Sequence, residues 1–435
     1  MLPQTPVARI IRAMSRRKRI LLSAFACEPY KGSEPEVGWQ WAMQMARFHD
    51  VTVFTQTKYQ PVVESGLKDL PANQPKPEFA YFDLHPVLQK LQEFGLGLRI
   101  YYVLWQKRAQ AEIRRMHEKK PFDLLHHVTF AAFRYPAAIW GHGVPCIWGP
   151  VGGIESVPPP LLPWRHPVWL VVEAFRNFSN FVQASRYNQL PKRAAASDRV
   201  LVSTAEMHRA LAKLGFESQL MPTIGLKTGE LPFRSHERGP GPLRLLYVGK
   251  LIMLKGIDLA LKALSISGTN ATLTLIGTGN YLSAAKQLTK EFGLENRVFF
   301  RGQLTRDQVL ALYPEFDVMI FPSLHDTGGY SVIEAMFNEV PVICLDCGGP
   351  AMAVQPGCGI KVPIGVRKQV TEGLASAIRQ YDQDRQLLFA HGKAARKSIL
   401  EHYDWDQKGI QMNEVYEQVL TRQTSEHGKK LHQSG

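Results

Sequence analysis

Short apolar runs alternate with amphipathic stretches along nearly the whole chain, and this rhythm decides the fold class. Arg19–Ala26, Val51–Thr55, Phe79–Phe82, Asp123–Val128, Pro145–Trp148 and Arg199–Ser203 read as strands, each a few residues long and mostly apolar. Helical patterns lie between them, notably from about Gly38 to Phe48 and around Leu98–Glu118. Strands apolar on both faces and separated by helices predict a parallel, doubly wound α/β sheet. From Pro222 to Pro242 the chain turns rich in Pro, Gly and charge, as a linker does. The alternation then restarts with Leu243–Val248, Ala271–Ile276, Arg297–Arg301, Asp317–Phe321, Pro341–Leu345 and Gly359–Val362. Two sheets of one kind predict two domains with a ligand cleft between the carboxyl ends of their strands. The expected division is a basic arm (1–17), a first domain (18–225), a linker (226–242), a second domain (243–402), a closing helix that crosses back (403–425) and a tail (426–435).

Composition narrows the partners. A chain of 435 residues with 45% hydrophobic side chains suits two cores. The 52 Lys and Arg against 38 Asp and Glu give +14, which attracts nucleic acid, anionic membrane or anionic small molecules. The cations are scattered and no helix-turn-helix, zinc-finger or RNP-type pattern occurs, so nucleic acid is not the expected partner. Five cysteines, an odd count, argue against a closed disulfide framework and for a reducing, cytoplasmic setting; Cys344-Leu-Asp-Cys347 reads as structural thiols at the end of a strand. Arg16–Arg19 followed by Ile20–Cys27 mimics a signal peptide, but that run is short and is needed as the first strand. No stretch of about twenty apolar residues predicts a transmembrane helix. Two segments leave open a peripheral contact with an anionic membrane. The arm carries Arg9, Arg12, Arg16 and Arg17 around Val7, Ile10, Ile11 and Met14 and reads either as a solvated tail or as a membrane-surface element. Pro158–Phe178, rich in Trp and Phe and sparse in charge, reads either as an exposed apolar lid or membrane-facing helix, or as a buried helix of the first domain.

The candidate chemistry collects after strand ends. The apolar run Phe316–Phe321 leads into a loop with His325, Asp326, Gly328, Gly329 and Tyr330, and a helix is predicted to open at Ser331. Helix N-terminal amides and close-approach glycines suit phosphate. Glu334 has two readings: it completes a capping box with Ser331, or it contacts ligand. Gly32 and Ser33, in the turn Glu28–Gly38, offer amides to an anion, and Lys250 and Lys255 stand just past a strand of the second domain, where they could neutralise a diphosphate. His126 and His127 end a strand, with one facing inward and one outward. Gly277-Thr-Gly279 is only a fragment of a dinucleotide fingerprint, so a nicotinamide dehydrogenase is weakly supported. Asp382 with Asp384, and Asp404 with Asp406, read as solvent-facing acids in helical sequence and not as a metal site.

Over residues 18–420 the chain resembles the retaining, nucleotide-sugar-dependent glycosyltransferases of family four, which have the GT-B fold of two Rossmann-like domains. Val248-Gly-Lys-Leu with Lys255-Gly256 resembles the family's Gly-Arg-Leu…Lys-Gly phosphate site, and Pro322-Ser-Leu…Glu334-Ala-Met resembles its Glu-x7-Glu region. Gly32-Ser33, Asp123-Leu-Leu-His-His127 and Trp148-Gly-Pro-Val-Gly-Gly153 resemble donor-facing loops of exopolysaccharide and lipopolysaccharide branches. The chain departs from the pattern twice: Asp326 stands where the first Glu is usual, and Lys250 where Arg is common. The resemblance implies transfer of a sugar from a nucleoside diphosphate sugar to a glycan or glycolipid hydroxyl, with retention and without a metal or other cofactor. It assigns the ribose to Glu334, the diphosphate to Lys250 and Lys255 with the amides of Gly329–Ser331, the sugar hydroxyls to Asp326, and an approach from the facing domain to His127. A catalytically silent sugar-nucleotide binder and a GT-B sugar-nucleotide epimerase are the competing readings, the first motivated by Asp326.

Overall fold

A computed structural model describes residues 17–433 apart from 94, 163–166, 186–187 and 234–240. The basic arm up to residue 16 and the middle of the linker lie outside the described residues. The first sheet uses β1 (Arg19–Ser23), β2 (Asp50–Thr55), β3 (Glu78–Tyr81), β4 (Leu124–His127), β5 (Cys146–Val151), β6 (Arg199–Val202) and β7 (Gln219–Leu220). The second uses β8 (Arg244–Val248), β9 (Thr272–Ile276), β10 (Val298–Gly302), β11 (Val318–Phe321), β12 (Val342–Leu345) and β13 (Gly359–Val362). Their orders are β3-β2-β1-β4-β5-β6-β7 and β10-β9-β8-β11-β12-β13, and every named pairing is parallel. In each sheet the order reverses beside the first strand of the domain, at β1/β4 and β8/β11. Loops leave such a point to opposite faces of the sheet and open a crevice beyond the strand ends.

Alternation along the strands divides the core of the first domain. Ile20 and Leu22 of β1 pack into one buried cluster and Leu21 into the other. The second cluster includes an aromatic knot in which Phe25 meets Tyr102, Trp105 and Phe130 edge to face at 4.8–5.2 Å.

Helices packed around the two sheets include α1 (Ser33–Ala46), α2 (Gly95–Lys119), α3 (Pro167–Gln183), α4 (Ala205–Lys213), α5 (Ile257–Ile266), α6 (Tyr330–Phe337) and α7 (Trp405–Gln433). Helix α1 starts five residues before the expected Gly38. The chain reverses through left-handed Tyr30 and Ser33, and Pro35, Glu34 and Glu36 then occupy the first turn, where proline is tolerated and acids favour the dipole. Gly38 is therefore a packing residue: a Cβ there would sit 2.2 Å from the Ala26 carbonyl oxygen. Helix α7 packs against α1 of the first domain and runs to Gln433, past the expected end at 425. At its start the two interdomain crossings pair, because Leu226 N donates to Tyr403 O (2.7 Å) and Trp405 N to Leu226 O (2.9 Å).

Helix α3 favours the exposed-apolar reading of the aromatic segment over the buried one. It belongs to the first domain, yet its polar side faces the protein and its apolar side faces out. The acid pairs are structural: Asp404 accepts from Thr228, Asp406 from Gln44 and Arg47, and Asp384 caps a helix. Cys344 is a buried free thiol and Cys347 a half-buried one.

Candidate active site

A cavity of about 880 Å³ opens between the two sheets and is lined from both domains. On the second-domain side the chain leaves β8 through Gly249 and Lys250, makes a short turn over Met253–Lys255 and enters α5 through Gly256. Gly256 has φ +65°, and a Cβ there would lie 2.1 Å from the Pro322 carbonyl oxygen, so only glycine lets this turn close on the end of β11. That packing holds Lys255 over the Phe321 ring, 5.4 Å from its centroid, and in an ion pair with Asp326. Lys250 is exposed at the rim and has no ion-pair partner among the described residues.

The loop after β11 hands the chain to α6. Asp326 accepts from Gly328 N (3.2 Å), and left-handed Gly329 (φ 85°) precedes the first helical residue, Tyr330. Gly328, Gly329, Tyr330 and Ser331 all line the cavity, and the Tyr330 and Ser331 amides, in the first turn, have no intrahelical acceptor. The expected capping box is absent. The Ser331 hydroxyl donates instead to Val248 O (3.0 Å), tying α6 to the end of β8, and no side chain caps the helix. Glu334 accepts from Arg306 Nε (3.0 Å) and the Tyr313 hydroxyl (3.3 Å). Burial raises its pKa, and Arg306 and Tyr313 oppose that rise. Arg306 is placed by a capping box between Thr305 and Gln308 at the head of the helix after β10.

The facing domain contributes Gly32, Ser33 and Glu34. The Gly32 amide is already occupied, donating to Glu36 Oε2 at 2.8 Å. Glu34 accepts from Phe130 N (2.5 Å) and is pushed above the ordinary carboxyl range by burial, against which that bond acts. His127 does not reach the cavity. Its imidazole is buried between the Ser23 hydroxyl (3.1 Å) and the Tyr102 hydroxyl (3.0 Å), and burial lowers its pKa to about 3. Both histidines at the end of β4 turn into the domain, because His126 is also buried: its Nε2–H donates to Gly149 O and its Nδ1 accepts from Tyr416, both at 2.7 Å.

The structure thus brings together Gly32, Ser33, Lys250, Lys255, Asp326, Gly328, Gly329, Tyr330, Ser331 and Glu334, and leaves His127 outside. It adds Glu34 and Arg306 to the lining. The acids of α1 were readable as a first helical turn once Pro35 is placed there, and Thr305-x-x-Gln308 marks Arg306 as the opening of a helix. The pairing of Arg306 with Glu334 has no local signal.

The domains touch around the cavity. Glu206 of α4 accepts from Gly348 N (2.9 Å), Gly152 leaves space for Thr327, and Gly328 packs on Ile224. Across 93% of this chain and 100% of the other, the same architecture occurs in a sucrose-phosphate synthase from Thermosynechococcus elongatus, with TM-score 0.62 and 19% identity. The fold is GT-B. Anabaena HepE in complex with UDP-glucose has it too, with TM-score 0.56 and 16% identity over 92% of this chain and 100% of that one. In sequence, residues 230–397 match the family model for glycosyl transferases group 1. A glycogen synthase of Mycobacterium tuberculosis is 26% identical over 226 residues, 51% of this chain and 54% of that protein, so the match spans about half of the relative.

Proposed function

We propose that this GT-B protein is a retaining glycosyltransferase that moves a hexosyl group from a nucleoside diphosphate sugar to a hydroxyl of a lipid-linked glycan in envelope polysaccharide synthesis. The observation that carries the reading is the convergence of Lys250, Lys255 and the open N-terminus of α6 on one interdomain cavity with Asp326 and Glu334 behind them. In this reading the lysines and the amides of Gly329–Ser331 hold the diphosphate and stabilise the charge that grows on it as the glycosidic bond breaks. Glu334, already engaged by Arg306, holds the ribose. Asp326 exchanges its bond to Lys255 for the sugar hydroxyls, leaving Lys255 free to turn to phosphate. The facing domain aligns the acceptor hydroxyl, and Glu34 takes the position that the resemblance gave to His127. The proposed reaction needs no metal, since two lysines and a helix terminus supply positive charge at the leaving group.

The HepE complex with UDP-glucose, which shares the fold, is in keeping with a nucleotide-sugar donor. The direct test is to incubate the full chain with a panel of nucleoside diphosphate sugars and a bacterial lipid extract and to weigh the products. Transfer is expected as a lipid gaining one hexosyl mass together with release of nucleoside diphosphate. Donor binding with neither product would instead establish the silent binder, and a sugar nucleotide altered in configuration without a new glycosidic bond would establish the epimerase.

A further inference from the structure

Helix α3 is amphipathic in the inverted sense. Glu173, Arg176, Asn177 and Asn180, spaced three and four apart, turn towards the first domain. Glu173 and Asn180 are buried there, Glu173 pairs with Arg176, and Asn177 and Asn180 donate to the carbonyls of Val157 (3.0 Å) and Ile154 (3.2 Å). The opposite stripe is apolar and bare: Phe175, Phe178 and Phe181 are 72%, 64% and 76% exposed, with Val171 and Val172 beside them. A single exposed phenylalanine needs no explanation, whereas a continuous stripe on one helix does.

The charge around the stripe indicates its partner. Among the described residues from 158 to 193, Lys192 is an exposed cation, Arg193 is buried against the Phe133 carbonyl and Arg176 pairs with Glu173; that acid, the one acid in this stretch of sequence, is buried under the helix. Arg99 of α2, exposed next to exposed Ile100, lies close enough for its charge to act on Arg176 and Arg134. An apolar stripe free of exposed acid, with exposed Arg99 close to its helix, complements an anionic lipid surface, where phenylalanines enter the acyl boundary and exposed Lys and Arg meet the headgroups. The inner side of the same helix is bonded to 154–157, which continues directly from Gly152 and Gly153 of the cavity wall.

We infer that α3 is a membrane-docking helix that lays the first domain on an anionic bilayer and brings the cavity beside it, so that the acceptor reaches the site with its lipid still in the membrane. This deepens the proposed acceptor class and rests on that reading for its purpose.

The test is co-sedimentation of the full chain with vesicles of phosphatidylcholine alone, or of equal parts phosphatidylcholine and phosphatidylglycerol. The variant is the triple substitution Phe175→Ser, Phe178→Ser, Phe181→Ser, confined to exposed side chains. The wild type is expected to pellet with the anionic vesicles and to be released by salt. The triple variant should partition at least about tenfold more weakly while keeping the wild-type melting temperature. Equal partitioning of variant and wild type, or no wild-type binding to anionic vesicles, overturns the inference. So does a wild-type dimer that the triple variant converts to a monomer, since the stripe would then be an interface between copies. Nucleoside diphosphate binding, measured separately, distinguishes the two failures: vesicle binding without it leaves docking intact and removes the donor reading.

Discussion

Asp326 is the residue on which the proposed activity turns. Its carboxylate faces Lys255 on one side and the Gly328 amide on the other, so it is fixed before any ligand arrives. Held there, it can exchange one partner for a sugar hydroxyl at little cost in ordering. Asp326→Asn keeps the size and the amide contact but removes the charge. In the proposed role it should cut transfer by roughly a hundredfold while nucleoside diphosphate affinity changes by less than about threefold, a split read from kcat/KM against calorimetric Kd. Equal loss of both would place Asp326 on the diphosphate instead. Residue identities legible from sequence were those set by backbone position, namely the lysines past β8 and the glycines and acids past β11. Those set by long-range partners were not. Ser331 and Glu334 satisfy a local capping pattern, yet Val248 takes the hydroxyl and Arg306 the carboxylate. His127 looked like a strand-end functional group, but Ser23 and Tyr102 enclose it.

At the scale of elements, the strands were readable because a parallel sheet covered on both faces demands unbroken apolar runs. β7 escaped because only Gln219 and Leu220 pair, too few residues for a pattern. The start of α1 escaped because left-handed Ser33 looks like loop sequence, although the turn it makes is what points Glu34 at the cavity. The junction of β8 with α5 makes a sharper demand. Gly256 combines a left-handed backbone with contact against the end of β11. Gly256→Ala should destabilise the second domain by at least about 2 kcal/mol, seen as a lower denaturant midpoint, and displace Lys255 with it. An unchanged midpoint would mean that this turn can relax without cost.

Across the whole molecule, the chain crosses between domains twice, and the crossings are hydrogen-bonded to each other at Leu226 and Tyr403–Trp405. The cavity walls can therefore separate only by bending this paired strap. The first domain is tied to α7 through His126 and Tyr416, and that bond requires a neutral imidazole. Burial lowers the pKa of His126 to about 4 and that of His127 to about 3, from an ordinary value near 6.5. Below pH 6.5 the unfolded chain binds protons that the folded chain does not, so stability is complete above that pH and declines as the pH falls towards 4. Each histidine contributes a slope of up to about 1.4 kcal/mol per pH unit. Melting curves from pH 7 to 4 should show this decline, and His127→Gln should flatten it; a variant slope equal to the wild type would show that other groups control acid unfolding.

In the proposed function the interdomain cavity binds a nucleoside diphosphate through Lys250, Lys255 and the head of α6. Isothermal titration of uridine, guanosine and adenosine diphosphates into the full chain, and into Lys250→Ala and Lys255→Ala, tests it most directly. Saturable one-to-one binding of at least one nucleotide by the wild type is expected, weakened at least about tenfold by either substitution with the fold intact. Wild-type affinity in both variants, or binding of none of the three nucleotides by the wild type, would contradict it.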